Sequence, residues 1–300
     1  MSYLNWFVRS FSNRAGNYVL ISTIISRLLS FLASWLALQF INYTTLGMVL
    51  YSWTIITFLG PFIGFGLPQS LIRYGALAKT DEEKNSLLSY VLKYGLITSI
   101  ALTIIVFLFG LYFPFEFSSS GIYLAYLSLV FVPLFFFETL KIQFRLEHRN
   151  KMFSFLDFIY NLILVVLVLI LTYYFKEAGY IIAILLAPPL SSLLFFKKIS
   201  RAFKTLIKPQ LINLEFWKYG FFGGLSNIAN MLLLAIDVLL IGSLLNDAES
   251  VTIYRYIALI PLSTLFLPRV FIATDFVTFT ENIRDQNYIY KYIKSYITLF

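Results

Sequence analysis

Three ionisable residues stand in stretches that are otherwise apolar. Arg27 lies about ten residues into a run that begins near residue 17. Asp237 lies deep in a second run, and Arg255 follows just after a polar turn, Asn246 to Glu249. A charge in hydrocarbon is costly, so such residues pair, face a wet cavity or meet a ligand. A guanidinium in low dielectric grips a phosphate strongly, through charge and a forked set of donors. A buried carboxylate can pair with such a cation or hold a coupling ion. At a rise of about 1.5 Å per residue, Asp237 and Arg255 differ in depth by about 5 Å, a gap an arginine can span. A structural ion pair and a transport role both fit them. Arg27 is too deep to reach the interface easily, and both a functional contact and an arginine satisfied by helix carbonyls and a neighbouring carboxylate fit it.

Other chemistry is scarce. The chain has no cysteine and a single histidine, His148, in the polar segment Arg145 to Arg149. Disulfides, thiolate nucleophiles and His-rich metal clusters therefore drop out, and neither a metal nor a cofactor is expected. No Walker loop, paired-aspartate metal motif or His-x-x-x-x-Asp pattern occurs, so the chain is not read as an enzyme. Glu138, Asp157 and Asp275 sit within a turn or two of span ends and are expected at the interface.

The elements that position these residues follow from composition. Of 300 residues, 59% are hydrophobic and only 13% charged, too few charges to coat a soluble fold of that apolarity. Aromatics at 19% also exclude disorder. Charge-free runs cover 28–72, 94–115, 117–137, 158–175, 178–196 and 219–236, each near or above the roughly 20 residues that cross a bilayer as a helix. They do not alternate as barrel strands would. The expectation is an all-α polytopic membrane protein with helices near 17–41, 46–72, 87–113, 121–143, 153–175, 179–197, 217–245 and 250–276. A ninth begins near Tyr288 and is cut by the end of the sequence. Residues 3–11 are expected along the interface.

Twenty of the 23 basic residues fall in the tail and in alternate loops, and only Lys176 falls in the opposite loops. The positive-inside rule then puts the N-terminus in the cytosol of a cell membrane. The net charge of +8 is a topology signal, and no nucleic-acid partner is expected. Helix breakers concentrate at Gly60-Pro61, Gly64, Gly66 and Pro68, and at Pro188-Pro189. Broken helices free backbone carbonyls that lipid cannot satisfy, so they mark cavities in transporters.

Several stretches together resemble the oligosaccharide flippase branch of the multidrug/oligosaccharidyl-lipid/polysaccharide exporter superfamily. Ser26-Arg27-Leu28-Leu29-Ser30-Phe31 is similar to that family's Gly/Ser-Arg-x-x-Ser-Phe opening, and Gly47 follows the outer turn. Gly64-Phe65-Gly66-Leu67 with Arg73-Tyr74 resembles the ending of its second helix. Ile236-Asp237 with Ile241-Gly242, then Val251-Thr252-Ile253-Tyr254, resembles its seventh helix and the turn into the eighth. Two departures are Val238, where the family has a polar or basic residue, and Thr252, where it has glycine.

The resemblance implies two six-helix lobes around a central cavity. Residues 1–216 would form the N-terminal lobe with a basic cytosolic linker, and 217–300 an incomplete C-terminal lobe. It implies flipping of a polyprenyl-linked oligosaccharide for polysaccharide or glycan biosynthesis by alternating access. Arg27 and Arg255 would bind substrate and Asp237 would serve as ion pair or coupling-ion site. Membrane lipids, and glycosyltransferases that supply the substrate, are the implied partners. A multidrug antiporter of the same superfamily and a truncated, non-transporting scaffold are the alternatives.

Overall fold

The computed structural model describes residues 3–115, 117, 119–195, 211–264 and 266–299, and every regular element among them is helical. Most of the basic linker, including Lys197 to Lys208, lies outside the described residues. A short amphipathic helix, α1 (Tyr3–Asn13), precedes the first span, α2 (Gly16–Phe40). Next come α3 (Tyr43–Leu59), a 3-10 segment (Gly60–Gly66) and α4 (Leu67–Leu77), then the long α5 (Asp81–Tyr112). The helices α6 (Ser120–Ser128) and α7 (Phe131–Leu146) form one bent span, with a 45° bend between them. Next are α8 (Asn150–Leu167), a π segment (Val168–Thr172) and α9 (Tyr173–Leu193). The described chain ends with α10 (Leu214–Leu245), α11 (Ala248–Thr264), α12 (Phe266–Glu281) and α13 (Gln286–Leu299).

Five of these helical stretches are long and apolar enough to cross a membrane, and the bent pair makes a sixth. One of the five, Asn150–Leu193, is not straight. Helical geometry breaks at Lys176 (φ 52°, ψ −128°). The chain then folds back so closely that a Cβ on Gly179 would lie 2.0 Å from the Leu171 carbonyl oxygen. This reversal separates the two spans expected at 153–175 and 179–197.

The turns are set by local chemistry. Asn42 caps α3, its side chain accepting from the Thr44 N–H at 2.9 Å. Thr80 and Glu83 form a reciprocal capping box at the start of α5. At the turn into α11, Asp247 accepts from the backbone N–H groups of Glu249 (3.0 Å) and Ser250 (3.2 Å) and from the Ser250 hydroxyl. These donors, the hydroxyl foremost, hold its carboxyl below the ordinary aspartate range.

The break expected at Gly60 to Pro68 is present, with Ile63 extended (ψ 125°) and Gly64, Phe65 and Gly66 all at positive φ. The break expected at Pro188-Pro189 is not: α9 runs through both prolines. The Ser191 and Ser192 hydroxyls both donate to the Pro188 carbonyl, at 2.9 and 2.8 Å.

Two packing joints attach the last helices to the first six spans. At the end that carries Arg73 and Arg149, α10 crosses the broken segment with Gly220 facing Gly66. A Cβ on Gly66 would lie 2.1 Å from the Gly220 carbonyl oxygen, and Ser70 Oγ donates to the Phe216 carbonyl at 2.6 Å. On the same side α12 docks through Arg145, whose Nε donates to the Ala273 carbonyl at 2.9 Å, and through an Arg14–Asp275 ion pair at 3.2 Å. Asp275 is fully buried there, and His148 Nε2 lies 2.9 Å from the Glu281 carboxylate. Asp275 is therefore a packed partner of the N-terminal segment. The α1 helix joins this end too: Phe7 and Phe11 are buried against Phe271, and Trp6 meets Tyr288 edge-on. At the opposite end, Thr252 Oγ1 donates to the Tyr43 carbonyl at 2.7 Å.

Candidate functional site

The three residues singled out in the sequence occupy different faces of one region. Arg27 is exposed on α2 and makes no hydrogen bond or ion pair among the described residues. Seven residues on, and so on the same helix face, the Ser34 carbonyl accepts from the Tyr256 hydroxyl of α11 at 2.5 Å. Arg27 therefore lies on the stripe of α2 that α11 reaches across to touch. Arg255, next to Tyr256, is half-buried and has Tyr180 of α9 and Tyr254 as its electrostatic neighbours.

Asp237 does not meet Arg255 among the described residues. Its partner is Tyr254, whose hydroxyl donates to Oδ2 at 2.5 Å. Depth along the helix made Arg255 a candidate, but residues 254 and 255 point about 100° apart around α11. Val238, beside Asp237, is packed into the core. An aliphatic residue suits that position, where the resembled family has a polar one. The structure thus leaves two arginines without a carboxylate partner and ties the aspartate to a phenol.

Sequence reasoning missed a second polar centre. Lys141 Nζ of α7 lies 3.0 Å from Asp157 of α8 and 3.3 Å from Glu138, with the ammonium also over the rings of Phe137 and Phe153. Lys141 is only 15% exposed. Glu138 and Asp157 are thus organised around a largely buried cation. Each residue read as a span-end charge in isolation; only the antiparallel pairing of α7 with α8 brings the three together.

Glu138 also borders a cavity of about 460 Å³ beneath the broken segment of the second span. Trp53, Thr57, Gln69, Glu138, Tyr160 and Asn227 supply its polar and aromatic wall, from α3, α4, α7, α8 and α10. Its size falls within the roughly 300–1,000 Å³ typical of small-molecule sites. The Tyr160 phenol lies within electrostatic reach of Asp157, Glu138 and Lys141. No group of three or more His, Cys, Asp or Glu side chains that could hold a metal occurs among the described residues.

Comparison with known proteins fits this architecture. No curated protein sequence matches the chain. Among solved structures, an outward-facing multidrug resistance MATE family transporter of the MOP superfamily matches with a TM-score of 0.69 at 16% identity, over 95% of this chain and 66% of that one. A crystal structure of MATE in complex with MaL6 matches with a TM-score of 0.72 at 16% identity, over 95% and 67%. A MOP superfamily transporter from Pyrococcus furiosus, described as having a binding pocket of reverse polarity, matches with a TM-score of 0.63 at 16% identity, over 90% and 63%. The chain therefore spans about two thirds of the length of these structures, and at such identity the likeness is one of fold. The sequence profile described as polysaccharide biosynthesis protein covers residues 14–267, most of the chain. A polytopic helical membrane protein with the fold of MOP superfamily transporters, this chain belongs to the polysaccharide biosynthesis protein family.

Proposed function

We propose that the protein flips a polyprenyl-linked oligosaccharide across the cell membrane by alternating access, with its N-terminus and basic loops in the cytosol. In this reading residues 1–216 form a six-helix lobe with a cytosolic linker, and 217–300 open the second lobe. Arg27 and Arg255 hold the phosphate-bearing headgroup. Asp237 acts as a coupling-ion site whose occupancy Tyr254 senses. Glycosyltransferases supply the lipid-linked sugar on the cytosolic face.

The observation that carries the reading is the free guanidinium of Arg27, exposed on the α2 stripe that faces α11 and unpaired among the described residues. A cation kept in an apolar helix without a protein partner is explained by a partner that comes and goes, and a lipid phosphate has the right charge. The test is flipping of a fluorescent lipid-linked oligosaccharide in proteoliposomes. Removing one charged contact of this kind costs about 1.5–3 kcal/mol, so Arg27→Ala is expected to flip at least tenfold more slowly. Flipping at the parent rate would end the reading.

A second reading, export of cationic drugs, draws on the fold shared with a multidrug resistance transporter and on the acidic Glu138 at the cavity. Drug efflux on expression, abolished by Glu138→Gln and indifferent to Arg27→Ala, would favour it.

A further inference from the structure

We infer that the cavity beneath the broken second span is a binding site for an uncharged sugar ring, separate from the arginine positions. The inference deepens the proposed function, and rests on it only for the identity of the molecule that carries the sugar.

Shape, spare hydrogen-bonding capacity and charge balance point the same way. The two amide side chains at the wall, Gln69 and Asn227, make no hydrogen bond among the described residues, and neither does the Tyr160 hydroxyl. Each amide can donate twice and accept twice, a set suited to vicinal hydroxyls. Trp53 and Tyr160 add flat apolar faces beside these groups, and the C–H face of a pyranose is apolar. Ligand sites combine such an apolar lining with a few convergent polar groups.

Charge argues against the other classes of ligand. An anion would meet the Glu138 carboxylate, the one charged side chain in the lining. A cation would have to compete with Lys141, already 3.3 Å from Glu138. A lipid tail would leave the amides and the phenol unsatisfied. A neutral polyhydroxylated ring satisfies the wall without disturbing the Glu138–Lys141–Asp157 cluster.

Gly60 gives a way to close the site without dismantling it. It lines the cavity, has ordinary helical geometry (φ −48°, ψ −45°), and a Cβ placed on it would meet nothing within 4 Å. A large side chain there fills the cavity at little cost to the backbone.

The experiment uses the whole protein in lipid nanodiscs, free of sugar detergents, and reads tryptophan emission. The probes are methyl β-glucopyranoside, methyl N-acetyl-β-glucosaminide, chitobiose, tetraphenylphosphonium and inorganic pyrophosphate. At least one glycoside is expected to give a saturable change that Trp53→Phe removes. Gly60→Phe is expected to abolish binding, and Gln69→Leu and Asn227→Leu to weaken it about fivefold or more, each with an unchanged melting temperature. Should Gly60→Phe fail to fold, the two amide variants decide. Arg27→Ala is expected to leave glycoside binding untouched even where flipping is lost, which separates this inference from the headgroup reading. The inference is overturned if no glycoside gives a saturable signal. It is equally overturned if binding survives in Gly60→Phe and both amide variants, or if only tetraphenylphosphonium or pyrophosphate saturates the Trp53 change.

Discussion

Arg27 and Lys141 are both cations within apolar helices, and their surroundings give them opposite roles. Lys141 is buried between two carboxylates. Its partners Glu138 and Asp157 are 48% and 32% exposed, so water compensates them in part when the cation is removed. Lys141→Ala is therefore expected to lower the melting temperature measurably in a thermal unfolding assay. Arg27 has no protein partner to strand among the described residues, so Arg27→Ala should melt with the parent while losing the proposed flipping. The sequence distinguished these two poorly. Arg27 was legible because it stands alone near mid-span, where any charge is conspicuous. The cluster was not, because Glu138, Lys141 and Asp157 each lie near a span end and only the α7–α8 pairing shows that they share one pocket. Asp237 shows the same limit in another form. Its depth was readable from residue counting, yet its partner depends on rotation around α11, which brings Tyr254 to it and Arg255 elsewhere.

Among the elements, the joint between α10 and the broken second span is the most sensitive. Gly66 and Gly220 meet with no side chain between them, and a Cβ on Gly220 would lie 2.5 Å from Ser70 Oγ and 2.8 Å from the Gly66 carbonyl oxygen. Overpacking of this kind costs about 1–3 kcal/mol. Gly220→Val is therefore expected to unfold at a lower temperature, whereas Gly60→Val, facing open cavity, should not. Melting curves of the two variants side by side test this. The glycines and Pro61 made the break itself readable from sequence, because no regular helix accommodates that spacing. The continuity of α9 through Pro188-Pro189 was not readable, since it is decided by packing in a segment where Ala187 and Pro188 are buried. The departure at Thr252, by contrast, is explained once α11 is in place. Its hydroxyl reaches the Tyr43 carbonyl, a bond glycine could not make.

For the whole molecule, the apolar stretches up to Leu245 were the most legible features, because bilayer thickness and charge exclusion act on long stretches at once. Among the described residues, the single span expected at 250–276 is instead α11 and α12, neither of which is long and apolar enough to cross a membrane. Orientation follows from the same arithmetic and is open to a direct test. The chain has no cysteine, so single cysteines report without background. In intact cells, Glu177→Cys and Glu249→Cys are expected to react with a membrane-impermeant maleimide. Lys79→Cys and Arg149→Cys are expected to react only after permeabilisation. The reverse pattern would invert the topology and with it the direction of flipping.

The Gly66–Gly220 contact has a mechanical meaning as well. Interlocked side chains behave like gear teeth: one surface must ride over the other before it can move. The two backbones touch there without side chains, but Phe216 packs on Tyr74 and Phe221 on Phe65 to either side, so interlocked rings flank the contact and hold α10 in register on the second span. That joint is a latch, and the hydrogen bond from Ser70 to the Phe216 carbonyl beside it is the pin that closes it.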